Sequence, residues 1–193
     1  HVKDPAIRFI IDFGAHLKTL SEHFRSDPRT VGGSMFRIYR DTRFSKDKTP
    51  YKTHIGIQFR HELGKDAHAP GYYLHIDRGG CFAGSGMWHP DSPSLKKIRE
   101  AIVDDAQAWK RTVGAKRFRD TYVLEGDRLK RPPRGFDPDH PFVEDLKRKD
   151  FIGVAQVPKK MITDPKLPQE LKRVFRSATP LMEFLCDAVD VPF

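Results

Sequence analysis

Apolar residues recur every three or four positions near the start of the chain and predict an amphipathic helix. The pattern runs from Pro5 to Phe24, with Asp4 and Pro5 suited to the helix start, and Asp27 and Pro28 lie just past its end. The apolar face of this helix consists of Ile7, Ile10, Ile11, Leu17, Leu20 and Phe24. A helix of this kind buries its apolar face against the rest of a domain.

Farther along the chain the apolar period changes to two, which is typical of half-buried strands of an antiparallel sheet. The strand candidates are residues 36–38, 55–59, 73–76, 81–88, 121–124 and 151–157. In the first of them, Phe36 and Ile38 are expected to face the core. Gly79 and Gly80 mark a turn before residues 81–88, where small residues allow close backbone approach.

Further helices are predicted in the second half of the chain. Ser92 and Pro93 suit the start of one helix that ends near Gly114, and residues 167–189 read as a helix pair or a kinked helix around Pro180. Prolines in residues 129–141 predict an ordered loop before a short helix. The expected fold class is α+β, a curved antiparallel sheet with helices packed on one face, forming a single domain over residues 1–193.

The charge balance favours anionic partners. The formal net charge of +9 makes a small anionic ligand or non-specific nucleic acid a possible partner. No apolar run is long enough to span a bilayer and no signal peptide is seen, so no membrane association and a cytoplasmic location are expected. Cys81 and Cys186 have no CxxC spacing and read as buried thiols. His1 is not an initiator methionine, which suggests that the start of the chain is missing.

The densest chemistry lies in residues 36–54, where six Lys or Arg residues stand against two Asp and are interleaved with aromatic rings. Arginine binds phosphate or carboxylate through two hydrogen bonds, and Tyr and His can orient such a ligand. The candidate ligand-binding residues are Arg37, Arg40, Asp41, Arg43, Asp47, Lys48, Tyr51, Lys52 and His75. The best-supported hypothesis is therefore an anion-binding domain.

Three alternatives stay open at this point. The segment can be an ordinary solvated sheet face, or a clamp in which Asp41 and Asp47 hold the loop and the domain binds another protein. It can also belong to an enzyme in which Asp41 or His75 acts as a base and the arginines stabilise negative charge. No sequence feature selects a reaction.

Metal and cofactor signals are weak. The His and Asp pairs at residues 75 and 77 and at residues 89 and 91, and the cluster at residues 137–140, match no established ligand spacing. The glycines of residues 79–86 lack the ending of a phosphate loop, and Ser85 lacks the GxSxG context. No metal and no cofactor are expected.

The segment RIYRDTRFSKDKTPYK resembles a family of conserved hypothetical proteins, mainly bacterial and also found within longer fungal proteins. The family motif is R-x-x-R-D-x-R-F followed by D-K-x-x-Y, and it is matched in order by Arg37, Arg40, Asp41, Arg43, Phe44, Asp47, Lys48 and Tyr51. The likeness extends through GYYLHID, GSGMWHP, LKRPPRGFDPDHP and ATPLMEFL. It implies a small α+β domain and carries over no catalytic residue, substrate or cofactor.

Overall fold

The computed structural model describes residues 2–40, 43, 46, 48–64 and 69–193. Within these residues the chain forms five strands and eight helices. In chain order they are α1 (Lys3–Lys18), β1 (His54–Arg60), β2 (Gly71–Asp77), β3 (Cys81–Met87), α2 (Ser92–Asp104), α3 (Ala106–Gly114), α4 (Lys116–Thr121), β4 (Val123–Glu125), α5 (Val143–Leu146), β5 (Phe151–Val157), α6 (Lys159–Ile162), α7 (Leu167–Ser177) and α8 (Thr179–Ala188).

The strands form one antiparallel sheet in the order β1-β2-β3-β5-β4. The first three strands are consecutive in the chain, whereas β5 inserts between β3 and β4. The helices pack against this sheet, which confirms the predicted α+β class.

One face of the sheet forms the core because alternate side chains of every long strand point toward the helices. In β1 and β2 these are large apolar groups that are completely buried, among them Ile57, Phe59, Tyr72 and Leu74. Helices α7 and α8 contact β3 and contribute Leu171, Phe175, Leu181 and Leu185 to the same cluster. The other side of the sheet, called here the open face, carries the intervening residues.

The prediction of one helix from Ser92 to Gly114 is wrong in one respect, since the helix is interrupted at Asp105. The side chain of Asp105 accepts a hydrogen bond from the Ala108 amide at 2.7 Å and so starts a new helix, α3. A similar contact at the preceding helix, from the Ser94 amide to Asp91, starts α2.

The strand predicted at residues 36–38 is also wrong. These residues belong to none of the five strands, and Phe36 does not face the core. Residues 34–36 lie along the free edge of β1, where the amides of Phe36 and Gln58 donate to Gly56 and Ser34 at 2.9 and 2.7 Å. Met35 is the residue that enters the core, while Phe36 is 39% exposed on the open face. Ser34 and Met35 are both buried, whereas Phe36 and Arg37 are both exposed, so the predicted two-residue alternation does not hold at this position.

Both cysteines are buried free thiols, as predicted. Burial raises the pKa of Cys186 to about 12. In the described parts of the chain, every helix is too short or too polar to cross a membrane.

Candidate ligand-binding cavity

A cavity of about 440 Å³ lies on the open face of the sheet. Its walls are mainly aromatic and aliphatic, and polar groups are few. The lining residues are Phe36, Lys52, His54, Gln58, Gly71, Tyr73, Phe82, Gly84, Ser85, Gly86, Trp88, Ile152 and Val154. This size and composition are typical of small-molecule sites.

Three glycines of the open face form the floor of the cavity, so backbone borders the cavity there. Gly71, Gly84 and Gly86, called here the glycine floor, belong to β2 and β3, with Gly71 directly opposite Gly86. Tyr73 and Val154 flank Gly84 across the strands. Their side chains therefore rise beside the glycine floor and form part of the wall.

The basic segment forms another wall by folding back on itself. Residues 38–40 pair with residues 50–52, since the Arg40 amide donates to Pro50 at 3.0 Å and the Lys52 amide donates to Ile38 at 2.8 Å. We call these paired residues, 38–40 and 50–52, the motif ribbon. The rings of Tyr39 and Tyr51 lie 5.3 Å apart across it. Arg40 Nη1 also donates to Thr49 Oγ1 at 2.9 Å. These contacts hold the two halves of the basic segment together, so part of the motif stabilises the local structure.

A second, more polar cavity adjoins the first. It is lined by Arg40, Lys52, Thr53 and His54, and it shares Lys52 and His54 with the apolar cavity. Over the part of the chain that the structure describes, neither lining includes a carboxylate. Arg40 and Lys52 therefore bring positive charge to the junction of the two cavities, where the Asp77 carboxylate lies close to His54, while the body of the larger cavity is apolar.

Tyr73 links the wall of the cavity to the histidines beside it. Burial raises the pKa of Tyr73 to about 12, so its hydroxyl stays protonated at neutral pH. The hydroxyl lies 3.1 Å from His75 Nδ1. Phe36 packs on the Tyr73 ring at 6.0 Å, which connects the segment that precedes the motif ribbon to β2.

Three polar side chains form what we call the histidine cluster, His54, His75 and Asp77. His54 lies directly opposite Asp77 in the β1–β2 register, and His75 is two residues away on the same face. Burial, and secondly the neighbouring His54, lower the pKa of His75. A hydrogen bond from the Gly79 amide at 2.6 Å lowers the pKa of Asp77.

The structure places the predicted site residues in two groups. Arg40 and Lys52 line the polar cavity, and His75 stacks on His54 and Phe82, which line the larger cavity. The remaining described members are exposed along the motif ribbon or the loop that it carries, namely Arg37, Arg43, Lys48 and Tyr51. Asp41 and Asp47 lie outside the described residues. Binding of nucleic acid through the exposed cations stays a prediction.

Sequence reasoning missed the apolar part of the cavity. Phe36 was expected in the core, and Trp88, Ile152 and Val154 belong to distant segments that the sheet brings together. One signal was present, because Gly84 and Gly86 are separated by a single residue and so fall on the same face of a strand. Ser85 between them points into the core, where Oγ lies 3.0 Å from Tyr122 Oη.

The fold and the cavity together define an α+β protein with a ligand-sized cavity on the uncovered face of its sheet. The chain belongs to the conserved hypothetical protein family DUF2461, whose model matches residues 1–184. This confirms the family resemblance noted in the sequence. No curated protein and no solved structure gives a significant match to the chain.

Proposed function

We propose that this protein binds a small organic anion with a flat, apolar body and one carboxylate or phosphate group. The observation that carries the proposal is the junction of two adjoining cavities, one apolar and one cationic, at Lys52 and His54. A ligand with both kinds of surface fills both cavities at once.

The larger cavity suits the apolar body of such a ligand. Phe36, Tyr73, Phe82 and Trp88 present aromatic surface, and the glycine floor lets a flat ring approach the backbone of the sheet. Gln58 supplies an amide at the wall that can donate and accept hydrogen bonds.

The smaller cavity suits the anionic group. Lys52 and Arg40 bring two cations to its lining, and exposed Arg37, Arg43 and Lys48 add positive charge to the same segment. This charge attracts an anion from a distance, whereas Lys52, at the junction, contacts it after entry.

The experiment uses two probes of the same shape, 1-naphthoate and the neutral 1-naphthalenemethanol. Binding is followed by calorimetry. Lys52→Met keeps the aliphatic stem of the lysine but removes its charge. It should weaken naphthoate binding by about tenfold or more, the equivalent of one charged hydrogen bond, and leave the neutral probe unaffected.

Two further variants complete the design. Gly84→Val places a side chain on the glycine floor and should abolish binding of both probes, because the added Cβ of this residue meets only ordinary contacts with Tyr73 and the rest projects into the cavity. Lys110→Met, on the exposed surface of α3, is the control and should behave like the parent. Equal naphthoate affinity in parent and Lys52→Met, or unchanged binding in Gly84→Val, would contradict the proposal.

A further inference from the structure

We propose that the histidine cluster binds one first-row divalent transition-metal ion, such as Zn²⁺. Each of His54, His75 and Asp77 offers a ligand atom, and these three atoms lie within 4.8 Å of one another. Among the described residues this is the one group of three His, Cys, Asp or Glu side chains placed closely enough to share an ion.

The donor set has the chemistry that such an ion prefers. Two imidazoles and one carboxylate occur as the protein ligands of catalytic zinc and of non-haem iron, which keep further positions open for water or substrate. Ligand atoms around zinc bind at about 2.0–2.2 Å, so small side-chain rotations bring this group together around an ion.

The His75 ring is held on both sides by neighbouring rings, since it lies between His54 and Phe82 with ring centroids 4.7 and 4.6 Å away. Stacked imidazoles do not direct their in-plane lone pairs at one point, so the His54 ring turns out of this stack when the ion binds. The Tyr73 hydroxyl engages Nδ1 of His75, and the Gly79 amide donates to Asp77 Oδ1 at 2.6 Å. Outer partners of this kind fix the tautomer and the angle of metal ligands.

Other histidine and acid pairs lack this arrangement. His89 Nδ1 lies 2.7 Å from Asp150, whose oxygens also accept hydrogen bonds from the amides of His89 and Asp127. His23 pairs with Glu62, and the cation of Arg25 occupies the other oxygen of that carboxylate. The histidine cluster instead adjoins the cavity through His54, so an ion bound there lies next to the space proposed for the organic anion.

A metal at the histidine cluster differs from the sequence-based prediction of no metal. The His75 and Asp77 pair was visible in the sequence, but the third ligand lies on a different strand. Only the β1–β2 register places His54 opposite Asp77. The metal site stands independently of the proposed anion binding, since it is tested with the metal alone.

The test is a calorimetric titration of Zn²⁺ into the full, untagged chain after removal of metals by a chelator. The parent should bind one equivalent. Tyr73→Phe removes an outer partner and should weaken Zn²⁺ binding by about 10- to 100-fold. Loss of a ligand in His54→Ala, His75→Ala or Asp77→Asn should weaken it more. His16→Ala, on α1 outside the cluster, should bind like the parent.

A second measurement works on the unmodified chain and does not depend on how the variants fold. On addition of Zn²⁺, the imidazole NMR signals of His54 and His75 should shift together and saturate at one equivalent, while those of His16 stay in place. Binding of less than half an equivalent, shifts confined to other histidines, or undiminished affinity in His54→Ala would each overturn the proposal.

Discussion

The two faces of the sheet carry alternate residues of the same strands, yet one face is filled and the other is hollow. In β2, Tyr72 and Leu74 are completely buried against the helices, while Gly71 and Tyr73 of the open face border the cavity. In β3, Ala83 and Met87 enter the core, whereas Gly84 and Gly86 leave space. One set of strands therefore packs a core on one side and borders a cavity on the other.

The first prediction sets the two faces against each other through two phenylalanines. Phe59 is completely buried and packs on Phe13 and Phe175, so Phe59→Ala should lower the free energy of unfolding by about 3–5 kcal/mol. Phe82 is only partly buried on the open face, and Phe82→Ala should cost less than about 2 kcal/mol. Urea denaturation of both variants measures the difference, and equal losses would remove the distinction between the faces.

The second prediction separates two glycines of the open face. Gly86 has a φ of 131°, and an added Cβ would lie 2.0 Å from the carbonyl oxygen of Phe151. Gly86→Ala should therefore destabilise the fold by at least about 1–3 kcal/mol, the usual cost of such a backbone conformation alone.

Gly84→Ala is the matched control for that variant. Its Cβ would meet Tyr73 Cβ at 3.5 Å, an ordinary contact, so stability should change by at most about 1 kcal/mol. The melting temperatures of the two variants measure this difference. A lower melting temperature for Gly84→Ala than for Gly86→Ala would contradict the open space above Gly84.

The smallest expected effect concerns a histidine of the core side. His61 is buried, its Nδ1 accepts a hydrogen bond from the Leu63 amide at 3.2 Å, and its Nε2 lies 2.8 Å from the carbonyl oxygen of Pro192. Burial lowers the pKa of this ring below the usual 6.5. As the pH falls through about 6.5, His61 binds a proton more readily in the unfolded chain than in the folded chain. The free energy of unfolding should therefore fall as the pH drops below about 6.5 and recover above it.

Denaturation series between pH 8 and pH 5 measure this dependence. The slope should be smaller in His61→Gln than in the parent. An identical slope in both proteins would show that His61 is not the group responsible.

Much of the fold could be predicted because it depends on local patterns. The two-residue period at residues 55–59 and 74–76 and the helical period at the start of the chain follow from which side chains must be buried. The burial of Met35 in place of Phe36 could not be predicted, since both residues are apolar and only pairing with β1 decides which of them enters the core.

The candidate site divides in the same way between local and long-range information. The sequence by itself identified the basic segment and the family motif, because charge density and spacing are readable along the chain. Only the tertiary structure placed Lys52, Trp88 and Val154 around one cavity, and His54 opposite Asp77. The physical reason is that strand order and register join residues far apart in the chain, and no local pattern encodes which strands become neighbours.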